Sequence, residues 1–208
     1  MGAKDRRQRE REQRRKQILD AARKILLKKG MAAVSMNQIA AACELSVGTL
    51  YLYFKNKEEL FAALQEEGLE LLYQMIRDAA AGGDSPRDKL ERISMAYLEF
   101  SERHRKYFDI INYFLTSSEV MFPSHLKERI DRHGDRILSI VEGVLIDGAA
   151  DLPVEKGQER RLALLLWSSL HGLLQFRKLQ DTILSGVDYK DLYRFGVERA
   201  IRSLLCDD

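Results

Sequence analysis

The stretch that decides the fold covers residues 35–60 and reads SMNQIAAACELSVGTLYLYFKNKEEL. It contains two helix starts of the same kind, because Ser35 and Ser46 are both residues that cap helix N-termini. Ser35 and Gln38 also have the spacing of a capping box. A turn of about three residues, 43–45, separates the two helices. Two short helices joined by so short a turn predict a helix-turn-helix, whose second helix enters the major groove of DNA.

The second helix of this pair presents candidate DNA contacts. A small core is predicted from Ile39, Ala40, Cys43, Leu45, Leu50 and Phe54. Outside it, Gly48 allows close approach of the backbone, and Thr49 offers a hydroxyl and a methyl group to base edges. The hydroxyls of Tyr51 and Tyr53 can bind phosphates, and Lys57 adds a positive charge. The alternative is that both tyrosines are partly buried and only cover the small core.

The charge of the chain is strongly asymmetric. Residues 1–57 contain 14 lysines and arginines against 5 acidic residues, whereas the remainder contains 20 against 27, so a net charge of only +2 conceals a basic head. Eight of the cations lie between Lys4 and Lys16. Because phosphate neutralisation supplies most non-specific affinity for DNA, this distribution indicates a nucleic-acid partner. For residues 4–11 alone, a solvated and frayed arm is an equal alternative.

Over these same residues the chain resembles the TetR family of bacterial regulators. The resembling runs are ILDAA at 18–22, MNQIAAAC at 36–43, LSVGTLY at 45–51 and YFKNKEEL at 53–60. Glycine, threonine, tyrosine, phenylalanine and lysine all fall at the family spacing. The remaining residues resemble the family only in being helical.

The resemblance implies DNA contacts from Ser35, Ser46, Thr49, Tyr51, Tyr53 and Lys57, with Gly48 keeping the recognition helix close to the groove. Two departures from the family pattern matter. Glu44 stands where the turn usually has glycine, so the turn either adopts another conformation or strains a non-glycine residue. Val47 and Leu52 stand where polar or basic residues are common, which puts base hydrogen bonds from those positions in doubt.

The rest of the chain predicts more helices. Apolar residues recur at three- and four-residue spacing over 12–29, ahead of Gly30. Six further helices are predicted at 57–81, 87–103, 106–115, 124–145, 155–184 and 188–205. The centre of 155–184 is apolar on nearly every side and should be largely buried. The predicted fold class is therefore all-α, with about nine helices. We expect a basic arm and DNA-binding domain at 1–57 and a helical ligand-binding and dimerisation domain at 58–208.

The last two predicted helices contain a candidate dimer interface. The candidate residues are Leu166, Ser169, Leu170, Gly172 and Leu173 on the first of these helices and Phe195 and Arg199 on the last. In the family, two such helices from each subunit form a four-helix dimer interface. Small residues at 168, 169 and 172 would let another helix approach closely. A dimer also suits DNA recognition, because one short helix reads little sequence. The alternative is that these residues are all covered within one subunit.

By resemblance, the helical body would also hold a small, largely apolar effector. Candidate lining residues are Tyr97, Phe100, Phe108, Ile111, Trp167, His171 and Leu174. Each of them taken singly could be ordinary core. The resemblance therefore implies a repressor that an effector releases from a palindromic operator. The alternative is a helix-turn-helix protein that acts without an effector.

An enzyme is the competing class, and its signals are weak. The four histidines lack metal-ligand spacing, and Asp147, Asp151 and Glu155 are more simply a solvated loop. Cys43 and Cys206 have no metal or redox spacing, which suits a reducing compartment. No apolar run approaches the roughly 20 residues that span a bilayer, and no signal peptide is visible. We expect a cytoplasmic protein without catalytic activity, metal, cofactor or membrane partner.

Overall fold

The structure, a computed structural model, describes residues 3–30, 34–116, 122–148 and 157–205. Within these ranges the chain forms nine α-helices and one short 3-10 helix, with no strand, which confirms the predicted all-α fold. The helices are α1 (Ala3–Lys29), α2 (Met36–Ala42), α3 (Val47–Tyr51), α4 (Lys57–Ala81), α5 (Pro86–Arg103), α6 (Arg105–Thr116), α7 (Ser124–Asp147), α8 (Glu159–Gln175) and α9 (Tyr189–Leu205), and the 3-10 helix is Phe176–Leu179. The predicted helix start at Glu155 lies outside the described residues.

The chain divides into two compact units. The first comprises Met1–Leu69 and Lys106–Asp131, and the second comprises Glu70–Arg105 and Arg132–Asp208. The predicted domain boundary after Lys57 does not follow this division. A hydrophobic stripe in a sequence shows that a helix face is covered, but it does not show which neighbour covers it.

The core of the first unit explains its extent. Ile39 and Leu50, from α2 and α3, are fully buried in the same cluster as Leu60 and Phe61, from the beginning of α4. Ile110 of α6 belongs to this cluster as well. The helix-turn-helix therefore packs against residues of α4 and α6 that lie well beyond residue 57 in the sequence.

The first helix is longer than predicted. It begins at Ala3 instead of residue 12, and its side chains are exposed from Asp5 to Gln17, before Ile18 enters the core. The segment contains no glycine or proline, and Arg6 pairs with Glu10 at 3.3 Å on the next turn. Pairs at this spacing support a solvated helix by about 0.2–0.5 kcal/mol each. The frayed arm left open by the sequence is a continuation of α1.

The turn between α2 and α3 closes through two backbone hydrogen bonds. The Leu45 N–H donates to the Ala40 carbonyl at 2.9 Å, and the Glu44 N–H donates to the Ala41 carbonyl at 3.2 Å. This pattern is the Schellman ending of a helix, which requires a left-handed residue. Glu44 has a φ of +55°, at a cost of about 1 kcal/mol relative to glycine. Of the two outcomes predicted for Glu44, the structure shows the strained one.

The core of the second unit contains the packed pair α8 and α9, with α5. Tyr193 of α9 is fully buried, and its hydroxyl donates to the Ser94 carbonyl of α5 at 2.8 Å. Gly196 allows α8 to approach α9 closely, since a Cβ there would collide with Leu173 Cδ1. The two helices therefore pack closely against each other within the unit.

Helix α8 is shorter and more exposed than predicted. It ends at Gln175 rather than near residue 184, and the Gln180 side chain then binds the following loop, donating to the Val187 carbonyl at 2.9 Å. The expectation that its centre is largely buried is wrong for the protomer. Leu165 is 56% exposed and Trp167 is 36% exposed, because apolar residues encircle this helix and the protomer covers only one side.

Candidate nucleic-acid interface

Helix α2 begins with the predicted capping box. Ser35 Oγ accepts a hydrogen bond from the Gln38 N–H at 3.2 Å, and Gln38 Oε1 accepts one from the Ser35 N–H at 3.3 Å. Both bonds satisfy backbone donors that the first turn of a helix leaves without partners. Ser35 is exposed, so its hydroxyl proton can still bind an acceptor outside the protein.

Helix α3 begins with a second serine cap that also orients a threonine. Ser46 Oγ accepts from the Thr49 N–H at 3.0 Å and lies 2.7 Å from Thr49 Oγ1. The contact uses the proton of one of the two hydroxyls, which leaves the proton of the other for a partner. The pair therefore presents one oriented hydroxyl at the start of α3.

Nothing inside the protein requires a glycine at position 48. Its φ is not in the left-handed region, and a Cβ would meet only Ser46 Oγ, at 3.9 Å. The residue is exposed. Since alanine is the better helix former, the stability of α3 itself gives no reason for a glycine here.

The two candidate tyrosines have different surroundings. Tyr51 is 48% exposed, whereas Tyr53 packs against the core of the first unit. The sequence left open that both tyrosines are partly buried. The structure shows partial burial for Tyr53 and an exposed side chain for Tyr51. Leu52, between them, is 74% exposed, an apolar side chain on the surface that could meet a thymine methyl group.

Lys57 is the first residue of α4, beside a capped N-terminus. Asn56 Oδ1 accepts from the Glu59 N–H at 2.8 Å, and Glu59 Oε2 accepts from the Lys55 N–H at 2.9 Å. These bonds fix the link between α3 and α4 and hold the Lys57 backbone in place. A lysine at a helix N-terminus adds to the positive end of the helix dipole and suits a phosphate.

The structure divides the predicted dimer residues into two groups. Ser169, Gly172, Leu173 and Arg199 line an open groove of about 940 Å³ between α8 and α9, and Phe195 is 56% exposed. Leu166 and Leu170 were predicted on the same face, but they are 2% and 3% exposed within the protomer. They cannot form contacts with another subunit, because their own chain already covers them.

The predicted effector residues are divided as well. Phe108 and Ile111 are buried in the first unit, whereas Tyr97, Phe100, Trp167, His171 and Leu174 belong to the second. In the second unit the Tyr97 hydroxyl lies 2.8 Å from His171 Nδ1, and the rings of Trp167 and His171 are 6.0 Å apart. Phe100 and Leu174 are closed off in the core.

The polar centre of the second unit includes a residue that the sequence reasoning missed. The Gln175 amide lies 3.2 Å from His171 Nε2, one helical turn further along α8, which spacing alone could have suggested. Burial, followed by the charge of Lys178, lowers the pKa of His171, and burial raises the pKa of Tyr97. Tyr97, His171 and Gln175 thus form one hydrogen-bonded chain within the second unit.

The described residues give no support to a metal centre or a membrane span. No group of three or more His, Cys, Asp or Glu side chains among them could hold a metal ion. No helix in the described ranges is long and apolar enough to cross a bilayer. Asp151 and Glu155, the acidic loop residues considered for catalysis, lie outside those ranges.

A capped pair of helices, with an exposed glycine, hydroxyls and a lysine around the second helix, defines a DNA-binding protein of the helix-turn-helix class. The family model described as bacterial regulatory proteins, tetR family, matches residues 18–64, and the model of the tetracyclin repressor-like C-terminal domain matches residues 90–200. The chain thus belongs to the TetR family and is a DNA-binding transcriptional regulator.

Individual relatives agree with this assignment. The HTH-type transcriptional regulator PksA of Bacillus subtilis (strain 168) is 29% identical over 171 residues, covering 78% of this chain and 80% of PksA. A tetR-family regulatory protein from Rhodococcus RHA1 superposes with a TM-score of 0.74 at 22% identity, covering 94% of this chain and 98% of that one. FadR from Bacillus subtilis, in complex with stearoyl-CoA, gives 0.73 at 20% identity, covering 89% and 96%. The structural likeness shows the shared fold, and the named relatives are regulators rather than enzymes.

Proposed function

We propose that this protein is a repressor that binds a palindromic operator as a homodimer and is released by a small, largely apolar effector. The observation that carries the DNA-binding surface is Gly48, an exposed helical glycine that nothing inside the protein requires. The proposed contact residues are Ser35, Ser46, Gly48, Thr49, Tyr51, Tyr53 and Lys57. Their hydroxyls and charge suit phosphates and base edges.

The homodimer part of the proposal rests on the groove between α8 and α9. Its small residues, Ser168, Ser169 and Gly172, leave room for a helix of a second copy, and Phe195 and Leu165 add exposed apolar surface beside it. Helix α3 has only five residues, so one head reads few base pairs. A two-fold dimer would read an inverted repeat.

Replacing Gly48 by alanine tests the DNA surface. We expect the free energy of unfolding to stay the same or rise by up to about 1 kcal/mol, because alanine favours the helix. Affinity for DNA should fall at least about tenfold, because the added methyl group would stand between the backbone and the duplex. The probe is a duplex that the parent protein selects from a random-sequence library, and binding is followed by fluorescence anisotropy.

The matched control is Gly134→Ala on α7, a second helical glycine, where a Cβ would meet nothing within 4 Å. That variant should bind the selected duplex like the parent. Equal affinity of all three proteins would show that the backbone at Gly48 does not approach DNA. A parent that selects no sequence at all would contradict the proposed function itself.

The effector part of the proposal rests on the second unit. Tyr97, Trp167, His171 and Gln175 place hydrogen-bonding groups among apolar surroundings, which is the composition of a small-molecule site. Phe108 and Ile111, predicted with them, belong to the first unit. A structural neighbour, FadR, was solved with stearoyl-CoA, so we propose an acyl-bearing compound as the first probe. The cytoplasm, where the DNA is, remains the proposed location.

Trp167 is the only tryptophan and reports on this site. An effector should change its fluorescence and weaken operator binding together, by about 5- to 150-fold, since allosteric couplings are typically 1–3 kcal/mol. Stearoyl-CoA is titrated first, against the parent and against His171→Ala, in which both responses should be blunted. His125→Ala, an exposed histidine on α7, is the control and should respond normally. Ligands that alter the fluorescence without altering operator affinity would favour a regulator that works without an effector.

A further inference from the structure

Residues 5–17 of α1 form a solvent-exposed helical segment, which we call the basic extension, and its C-terminal residues Arg15 and Gln17 contact Phe54 and Cys43. Every side chain in it is exposed, and no residue in it is apolar. At 1.5 Å per residue it is roughly 20 Å long, about the length of six base pairs of DNA. A helix that is polar all round and buries nothing suggests a partner outside the protomer.

The cations of the basic extension are not spread evenly around it. Arg7, Arg11, Arg14 and Arg15 stand at i, i+4, i+7 and i+8, which places them within an arc of about 100°. No acidic residue falls within that arc. We call these four residues the arginine face.

Two of the three acidic residues of the extension, Glu10 and Glu12, bind side chains outside this face. Glu10 pairs with Arg6 at 3.3 Å, and Glu12 accepts from the Gln8 side chain at 2.7 Å. Among the described residues, no carboxylate pairs with Arg7 or Arg11. Their charges are therefore available to an anion in solvent.

The arginine face starts beside the helix-turn-helix. The Arg15 guanidinium lies over the ring of Phe54, 5.2 Å from its centroid, and Phe54 follows shortly after α3. Arg14 donates to the Gln17 side chain at 3.0 Å, and the Gln17 carbonyl is 3.8 Å from Cys43 Sγ in the α2–α3 turn. The face is thus continuous with the surface proposed to contact DNA.

We infer that the arginine face is a second DNA-contact element, which binds phosphates of the duplex beyond those reached by α3. The inference rests on the proposed function, because the face continues from the helix-turn-helix. A membrane is a poorer partner, since helices that lie on bilayers bury an apolar face and this extension has none. Guanidinium groups suit phosphate oxygens through paired hydrogen bonds.

The test compares two double variants of the full-length protein that remove equal charge from opposite faces. Arg7→Gln with Arg11→Gln removes half of the arginine face, and Arg9→Gln with Lys16→Gln removes two cations from the opposite side. Glutamine keeps nearly the same helix propensity as arginine and lysine. Binding to a 30-base-pair duplex of mixed sequence is measured between 0.05 and 0.5 M NaCl, with circular dichroism to confirm the helix content.

Loss of two phosphate contacts should reduce the slope of log affinity against log salt by about 1.8, and weaken binding about 30-fold at 0.15 M salt. The Arg9 and Lys16 variant should change much less, and Arg7→Lys with Arg11→Lys should restore the parent slope. Equal losses in the two glutamine variants, or no loss in either, would overturn the inference. Binding to phosphatidylglycerol vesicles is measured in parallel. A loss of vesicle binding in the Arg7 and Arg11 glutamine variant, without a loss of duplex binding, would also overturn the inference. If the parent itself binds no duplex, the proposed function fails first.

Discussion

Replacing Gly172 by glutamate is expected to separate the subunits and to weaken operator binding by about 100-fold or more. Gly172 lines the groove between α8 and α9, and a Cβ there would meet nothing within 4 Å in the protomer. The protomer should therefore fold normally. In a dimer, however, a carboxylate would be buried against another helix without a partner, at a cost of several kcal/mol. A dimer that places two helix-turn-helix motifs on one operator binds it about 10²- to 10⁴-fold more tightly than a single motif does.

Sedimentation and titration of the selected duplex measure this effect. The control is Gly143→Glu on α7, because that glycine also has open space around it and lies away from the groove. It should sediment and bind like the parent. A Gly172→Glu protein that remains dimeric, or a monomer that binds with parent affinity, would remove the groove from the dimer proposal.

Replacing Leu50 by alanine should disorder the recognition helix. Leu50 is fully buried and is the only buried residue of α3, and a five-residue helix is not stable without packing. Truncating a buried leucine costs about 2–5 kcal/mol. Operator affinity should fall roughly 100-fold or more, because only molecules with an ordered α3 bind and a dimer needs two of them.

Leu52→Ala is the matched control, since it makes the same chemical change two residues away at a side chain that is 74% exposed. Its unfolding free energy should stay within about 0.5 kcal/mol of the parent. Thermal unfolding and anisotropy with the selected duplex separate the two variants. If Leu50→Ala bound as tightly as the parent, the short helix would not depend on its core contact. A modest loss in Leu52→Ala alone would indicate contact with a base.

The amino-acid sequence by itself determined the helix-turn-helix. Its signals are local: Ser35 and Ser46 each bond to an N–H three residues later, so the caps can be identified without any knowledge of distant contacts. For the turn the sequence left two conformations open, and the structure shows the left-handed one at Glu44. The proposed DNA contacts follow from this geometry and remain predictions.

Tertiary structure decided which apolar faces are covered. Periodicity placed Leu166 and Leu170 on one stripe with Leu173, but it could not show that the protomer buries Leu166 and Leu170 and leaves Leu165 and Phe195 exposed. The bond between Tyr97 and His171 joins residues 74 positions apart, and no sequence pattern specifies such a pair. Caps and turns depend on neighbours within a few residues, whereas burial depends on which distant helix lies against a face. For that reason the helix-turn-helix could be derived from the sequence, whereas the proposed dimer face and effector site could be located only with the tertiary structure.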